Sequence, residues 1–228
     1  MKSSKFPTDA EVVIVGVGGI VGSMLAYWLT ELGQKNIVGL EKSTVIPSDI
    51  GSTAHASDFV YNTTHDKLSN WTTAFSRNFY EDNGFFLKKG GLEICRKDDD
   101  ACWEELKRKV ASGKAFGTNV SLISASEAKE KFPLLEEESI RGALWDPDAG
   151  LVVPRSQDVV SFAVESAKEK GALTTYADTP AVGFEIENGR LTGVKTDKGT
   201  IKTDKVVIAS GIWGPLIGEM AGVPVPLS

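Results

Sequence analysis

The 228-residue sequence predicts an α/β fold that opens with a βαβ unit and closes with a β-meander, and three observations carry that prediction. Val12 to Val15 is a continuous β-branched run, the pattern of a strand buried on both faces of a parallel sheet. Gly16, Gly18, Gly19 and Gly22 follow it directly and lead into an apolar helical stretch. Near the other end, extended segments are separated by Glu187-Asn188-Gly189-Arg190 and Asp197-Lys198-Gly199, two hairpin turns.

The elements can be justified in order. Ser23 to Leu32 is a helix whose Met24, Leu25, Tyr27, Trp28, Leu29 and Leu32 predict a broad buried face, and Gly33 stops it. Asn36 to Leu40 is the next strand, closed by Glu41, and Ser43 to Asp58 is a loop rich in Ser, Thr, Gly and Pro. Asp66 to Tyr80 carries Leu68, Trp71, Phe75 and Phe79 at amphipathic spacing. Phe85 to Cys95, interrupted by Gly90-Gly91, reads as two strands or one kinked strand.

Asp98 to Lys114 and Ser124 to Phe132 are helical, the second opened by the capping sequence Ser124-Ala125-Ser126-Glu127. Ile140 to Val153 is extended around the turn Asp146-Pro147-Asp148-Ala149-Gly150, and Arg155 to Lys170 is a helix stopped by Gly171. Ala172 to Tyr176, Ala181 to Ile186, Leu191 to Thr196 and Thr200 to Ile208 then form strands, with Lys205 to Ala209 the last buried one. Gly211 to Ala221 is a short helix. Residues 1–83 and 154–228 are expected to form the two parts of a Rossmann-like domain, and residues 84–153 part of an inserted α+β domain. The strands at 85–95 and 140–153 are expected to leave open edges that need partners.

Composition narrows the function classes. A net charge of -6 argues against a nucleic-acid or anionic-lipid surface. Two cysteines, Cys95 and Cys102, are too few for a disulfide scaffold, and with only His55 and His65 they match no common zinc spacing, so no metal is expected. Met1 to Glu11 lacks the apolar core of a secretory signal, and no run is long enough to span a membrane, so a cytoplasmic protein with reduced thiols is expected.

The chemistry-bearing signal is Val13-Ile14-Val15-Gly16-Val17-Gly18-Gly19-Ile20-Val21-Gly22. Glycines let the chain turn sharply, let a pyrophosphate approach the backbone, and let the helix pack close to the sheet. The helix start offers N–H groups and a partial positive charge to phosphates. Glu41 stands where a carboxylate accepts from a ribose diol. The spacing departs from the usual fingerprint, because three residues rather than two separate Gly18 from Gly22. Either the turn is one residue longer or Gly16 belongs to the strand; a glycine turn without a ligand is the bland alternative. In Gly51-Ser52-Thr53-Ala54-His55-Ala56, small and hydroxyl residues suit a segment passing close to a cofactor, and His55 reads as a surface residue, a hydrogen-bond donor or a nucleophile.

Four segments resemble the FAD-dependent amine oxidoreductases of the D-amino-acid-oxidase superfamily, above all the dimethylglycine and sarcosine dehydrogenase group. They are the glycine turn with Ile20-Val21-Gly22, the pair Glu41-Lys42, the block Gly51 to Ala56, and Val206 to Trp213. The resemblance implies FAD as cofactor, bound by the glycine turn, Glu41, Lys42 and the block, with covalent attachment to the flavin through His55. The family follows its histidine block with a small residue and a glycine, where this chain has Ser57-Asp58. By the same resemblance, Val182 offers its strand backbone to the adenine, and Gly211 and Trp213 lie near the flavin. Read without it, Val182 is an ordinary strand valine and Trp213 a core residue at a helix start.

The resemblance further implies hydride transfer from the N-methyl carbon of a small-molecule amine to the flavin, leaving an iminium that hydrolyses or passes to tetrahydrofolate. The catalytic residues are expected beyond Ser228, in a missing half or a C-terminal partner polypeptide. Two other readings stand beside this one: another superfamily oxidase such as D-amino-acid oxidase, and a non-catalytic FAD-binding module that needs a second chain.

Overall fold

A computed structural model describes residues 6–61 and 66–226, so His65 lies outside the described residues. The chain opens with β1 (Val12–Val15), α1 (Ile20–Glu31), β2 (Ile37–Leu40) and a 3-10 turn at Ser52–His55. It continues through β3 (Phe59–Val60), α2 (Lys67–Asp82), β4 (Phe86–Lys88), β5 (Gly91–Arg96), α3 (Asp100–Ala115), β6 (Ser121–Ser124), α4 (Ala125–Lys131), β7 (Ile140–Asp146) and β8 (Gly150–Val152). It closes with α5 (Ser156–Glu169), β9 (Leu173–Tyr176), β10 (Ala181–Glu187), β11 (Arg190–Thr196), β12 (Gly199–Lys202), β13 (Val206–Ile208) and α6 (Gly214–Met220).

Met1–Ala56 and Arg155–Ser228 form one compact unit, and Ser57–Pro154 forms another. The second boundary lies next to the expected 153/154 division. The first does not: residues 57–83, expected with the Rossmann-like part, belong to the inserted unit. The reason is strand pairing, because Phe59 of β3 lies opposite Leu151 of β8, and α2 packs beside β4.

The first unit is three layers deep. Its parallel sheet has the order β13-β1-β2-β9, with Val13 between Val206 and Val38. Side chains alternate across it. Val12 and Ile14 point into a cluster with Ala26 of α1 and Val160, Val164 and Ala167 of α5. Val13 and Val15 point the other way, to Ala181, Val194 and Ile201 of the meander. Burial on both faces is why the strand reads as an unbroken β-branched run. In α1 the expected face is wrong in part. Gly22, Ser23, Ala26 and Thr30 are the buried positions, while Trp28 is 38% and Leu32 83% exposed. Small residues face the sheet because the helix lies close to it; Ile20, Leu25 and Leu29 pack half-buried beside them, and Trp28 and Leu32 are left outside.

The second unit holds two antiparallel three-stranded sheets, β3-β8-β4 and β5-β7-β6. Gly90, at φ +77°, separates β4 from β5, so the two-strand reading of 85–95 holds. Those strands are sheet edges, but β7 and β8 are central in their sheets, and the expected open edge at 140–153 is therefore incorrect. α3 packs against β5 and β7 through Leu106, Val110, Cys95 and Leu144. The Ser124–Glu127 capping box is formed reciprocally at the start of α4.

Candidate cofactor site

The glycine turn begins where β1 ends. Gly16 adopts φ +98°, and a Cβ there would stand 2.5 Å from the Ala209 carbonyl oxygen. A Cβ on Gly22, inside α1, would meet the Gly16 oxygen at 2.2 Å. Gly16 therefore serves the sharp turn and Gly22 the close approach of helix to strand. Because β1 stops at Val15 and Gly16 already turns, the loop is one residue longer than usual, and Gly16 is not part of the strand. Gly19 caps α1 without a side-chain bond, and no acidic residue sits in its first turn, so the helix's positive end is not neutralised from within.

Glu41 ends β2 and is 7% exposed. Its Oε2 accepts from the Gly18 N–H and its Oε1 from the Ser43 N–H, both at 2.9 Å. The same contact explains the second glycine: a Cβ on Gly18 would lie 2.5 Å from Oε2. A carboxylate has about four acceptor positions, so two amides orient the group without exhausting it. Lys42 is exposed, with Nζ 4.9 Å from the centre of the Trp213 ring. Trp213 is half-buried and sits at the start of α6, and Gly211 just before it is exposed at φ +54°.

The histidine block meets the glycine turn directly. Thr53 Oγ1 accepts from the Ile20 N–H at 3.0 Å, taking one of the first amides of α1. Ser52, Thr53, Ala54 and His55 make the 3-10 turn, with Gly51 before it and His55 exposed at its end. Arg155 Nη2 donates to the carbonyls of Ala54 and Ala56, each at 3.4 Å. Beyond the block, Asp58 holds φ +59°. That left-handed backbone is where glycine is least costly, and aspartate is one of the few other residues that tolerates it.

The structure thus brings Gly16, Gly18, Gly19, Ile20, Gly22, Glu41, Gly51 and the Ser52–His55 turn to one end of the parallel sheet, with Val21 67% exposed on the helix start. Val182 stands apart. It lies on β10, the edge strand of the meander, at a bulge where Ala181 pairs with Thr196 and Gly183 with Lys195. Three positioning residues escaped the sequence reading. Ser43 fixes Glu41, Ser48 donates its N–H to the Gly18 carbonyl at 2.9 Å, and Arg155 braces the histidine block. The position of Ser43 two residues after Glu41 is the only local signal for any of them; the Arg155 contact spans about a hundred residues of sequence.

These features fit a dinucleotide: a turn with no room for a Cβ at Gly16, Gly18 or Gly22, a helix start without an acidic residue in its first turn, and a buried carboxylate with spare acceptor capacity. Among the described residues no group of three or more His, Cys, Asp or Glu could hold a metal, and no helix is long and apolar enough to cross a membrane.

Comparison with known proteins agrees with that geometry. The family model for FAD dependent oxidoreductases (DAO) matches residues 11–228. Human mitochondrial sarcosine dehydrogenase is 29% identical over 238 residues, covering 99% of this chain and 25% of the relative. Human mitochondrial dimethylglycine dehydrogenase is 29% identical over 228 residues, covering 96% and 25%. The crystal structure of L-proline dehydrogenase from P. horikoshii superposes with a TM-score of 0.87 at 32% identity, covering 98% of this chain and 58% of that one. The chain spans about a quarter of the length of the curated relatives it matches. The chain belongs to the DAO family of FAD-dependent oxidoreductases, and its cofactor is FAD.

Proposed function

We propose that the chain forms the flavin-holding part of an oxidoreductase for N-methylated amino acids such as sarcosine or dimethylglycine, with His55 as the point of flavin attachment. FAD, when bound, supplies the centre that accepts a hydride from the N-methyl carbon. The start of α1 and the glycine turn hold the pyrophosphate, Glu41 the ribose diol, the Val182 backbone the adenine, and Lys42, Gly211 and Trp213 the flavin side. The substrate-side catalytic groups and any folate-binding part belong to sequence beyond residue 228 or to a partner polypeptide. The free cysteines Cys95 and Cys102 suit a reducing compartment such as the cytoplasm.

The observation that carries the reading is the Thr53–Ile20 hydrogen bond, which ties the histidine block to the pyrophosphate end of the dinucleotide turn. The substrate class rests on two relatives whose names specify N-methylated amino acids. The test is made on the chain joined to its C-terminal half. After denaturation, flavin fluorescence should stay on the polypeptide and a mass increase should appear on the His55 peptide. Free release of flavin from the wild type, or retention in His55→Ala, would refute the attachment.

A second reading is a non-catalytic FAD-binding module that works with another chain. It is favoured by β4 and β5, which present unpaired edges within their three-stranded sheets. Steady-state turnover of sarcosine by the 228-residue chain alone would dismiss it.

A further inference from the structure

The turn Asp197-Lys198-Gly199 joins β11 to β12, and Lys198 reaches from it to the loop between β9 and β10. Its Nζ donates to the Ala177 carbonyl at 3.3 Å, to the Asp178 carbonyl, and to Thr179 Oγ1 at 2.8 Å. An ammonium has three N–H donors, so all of them are used, and every partner is a neutral oxygen. Such charge-assisted bonds are roughly twice as strong as neutral ones. The turn itself is pinned: Thr196 Oγ1 accepts from the Lys198 N–H at 3.1 Å and donates to the Gly199 carbonyl at 2.8 Å.

The same loop holds the segment that carries Glu41. The Asp178 N–H donates to the Ser43 carbonyl at 2.7 Å, and the Thr179 N–H donates to the Glu41 carbonyl at 2.8 Å. Those two bonds set the backbone on either side of Lys42, and the Ser43 N–H in turn orients the Glu41 carboxylate. Asp178 is at φ +47°, a left-handed conformation that a non-glycine residue keeps only where its surroundings fix it. Thr179 is fully buried, and its hydroxyl donates to the Ala177 carbonyl at 2.8 Å. Without the ammonium, the Asp178 carbonyl loses this donor and the Ala177 carbonyl keeps only the Thr179 hydroxyl. The loop can then relax out of its strained backbone and take Glu41 with it.

We propose that Lys198 is a positioning residue for the dinucleotide: its ammonium fixes the 177–179 loop, and the loop fixes the Glu41 carboxylate for the ribose. The proposal rests on the reading of Glu41 as the ribose ligand. Every residue in this chain of contacts belongs to the first unit.

The test titrates the 228-residue chain with FAD, followed by flavin fluorescence, in the wild type, Lys198→Met, Glu41→Ala and the double variant. Lys198→Met keeps the side-chain stem and loses the donors, and its FAD affinity should fall about three- to tenfold. Because the lysine acts through Glu41, the double variant should bind within about twofold of Glu41→Ala alone. A general weakening of the fold would not produce that coupling. Lys198→Gln, the milder change, should lose less affinity and show the same coupling. Unchanged affinity in Lys198→Met beside a weakened Glu41→Ala would overturn the proposal, as would losses that multiply in the double variant. Unchanged affinity in Glu41→Ala would overturn the ribose reading itself, and the proposal with it.

Discussion

The two units use their residues differently. In the first, β1 and β2 are buried at every position, and helices cover one face of the sheet while the meander covers the other. In the second, β4, β5 and β6 are half-buried or exposed along most of their length, and the central strands β7 and β8 are mostly enclosed. Tightly packed glycines occur in both units but serve different ends. At Gly16 and Gly22 of the first an added Cβ would strike backbone of the dinucleotide turn, and at Gly142 and Gly150 of the second it would strike the Ile123 and Leu87 carbonyls of neighbouring strands. At Gly84 and Gly117 of the second unit it would meet nothing within 4 Å, so those glycines answer only to their left-handed backbone.

The largest effect that would sharpen this contrast is Gly22→Ala. Forcing a methyl against the Gly16 carbonyl should destabilise the protein by about 3 kcal/mol and abolish FAD binding. Gly117→Ala should cost only about 1 kcal/mol and leave FAD affinity alone. Urea unfolding and FAD titration of both variants would measure it, and equal losses would break the comparison.

Glu41→Ala comes next. The carboxylate accepts from two buried amides; on the proposed reading it also accepts from the ribose diol of FAD, and a charge-assisted bond is worth about 1.5–3 kcal/mol. FAD affinity should therefore fall roughly ten- to a hundredfold. Glu93→Ala, which removes the Lys109 ion pair of the second unit, should leave it unchanged. Fluorescence titration of both variants decides the matter, and unchanged affinity in Glu41→Ala would refute the ribose assignment.

What the sequence made legible follows the same divide. Val12–Val15, the glycine turn and Glu41 were readable because burial on both faces and ligand approach leave few residue types acceptable. Gly33, Gly171 and the Asn188-Gly189 turn were readable because left-handed backbone selects glycine and asparagine. The placement of 57–83 was not, since it depends on Phe59 pairing with Leu151, some ninety residues away. Nor was the buried face of α1, because hydrophobicity pointed to Trp28 and Leu32 while closeness to the sheet selected Ala26 and Ser23. Arg155 escaped for the reason Phe59 did: its contacts are distant in sequence.

A smaller effect concerns pH. Burial of the Cys95 thiol, reinforced by the neighbouring Cys102 and Asp99, pushes its pKa from an ordinary 9.0 up to about 11. The folded protein then holds a proton that the unfolded chain releases, so stability should decline as pH rises from about 9 to about 11. Unfolding of Cys95→Ala, which lacks the titrating group, should lose that part of the slope; an identical pH profile would show that Cys95 does not drive it.

The smallest expected effect is Asp58→Gly. Glycine relieves the left-handed strain at φ +59° but loses more entropy on folding, which leaves a net gain of about 0.5 kcal/mol. A rise in melting temperature would record it, whereas a loss would show that the Asp58 side chain contributes more than the backbone costs.

The central claim is that the end of the β13-β1-β2-β9 sheet is an FAD cradle, and the most direct test is to titrate the purified 228-residue chain with FAD and, separately, with NAD. Saturable uptake of one FAD per chain, with no comparable affinity for NAD, is the predicted result. Tight NAD binding without affinity for flavin would contradict the account.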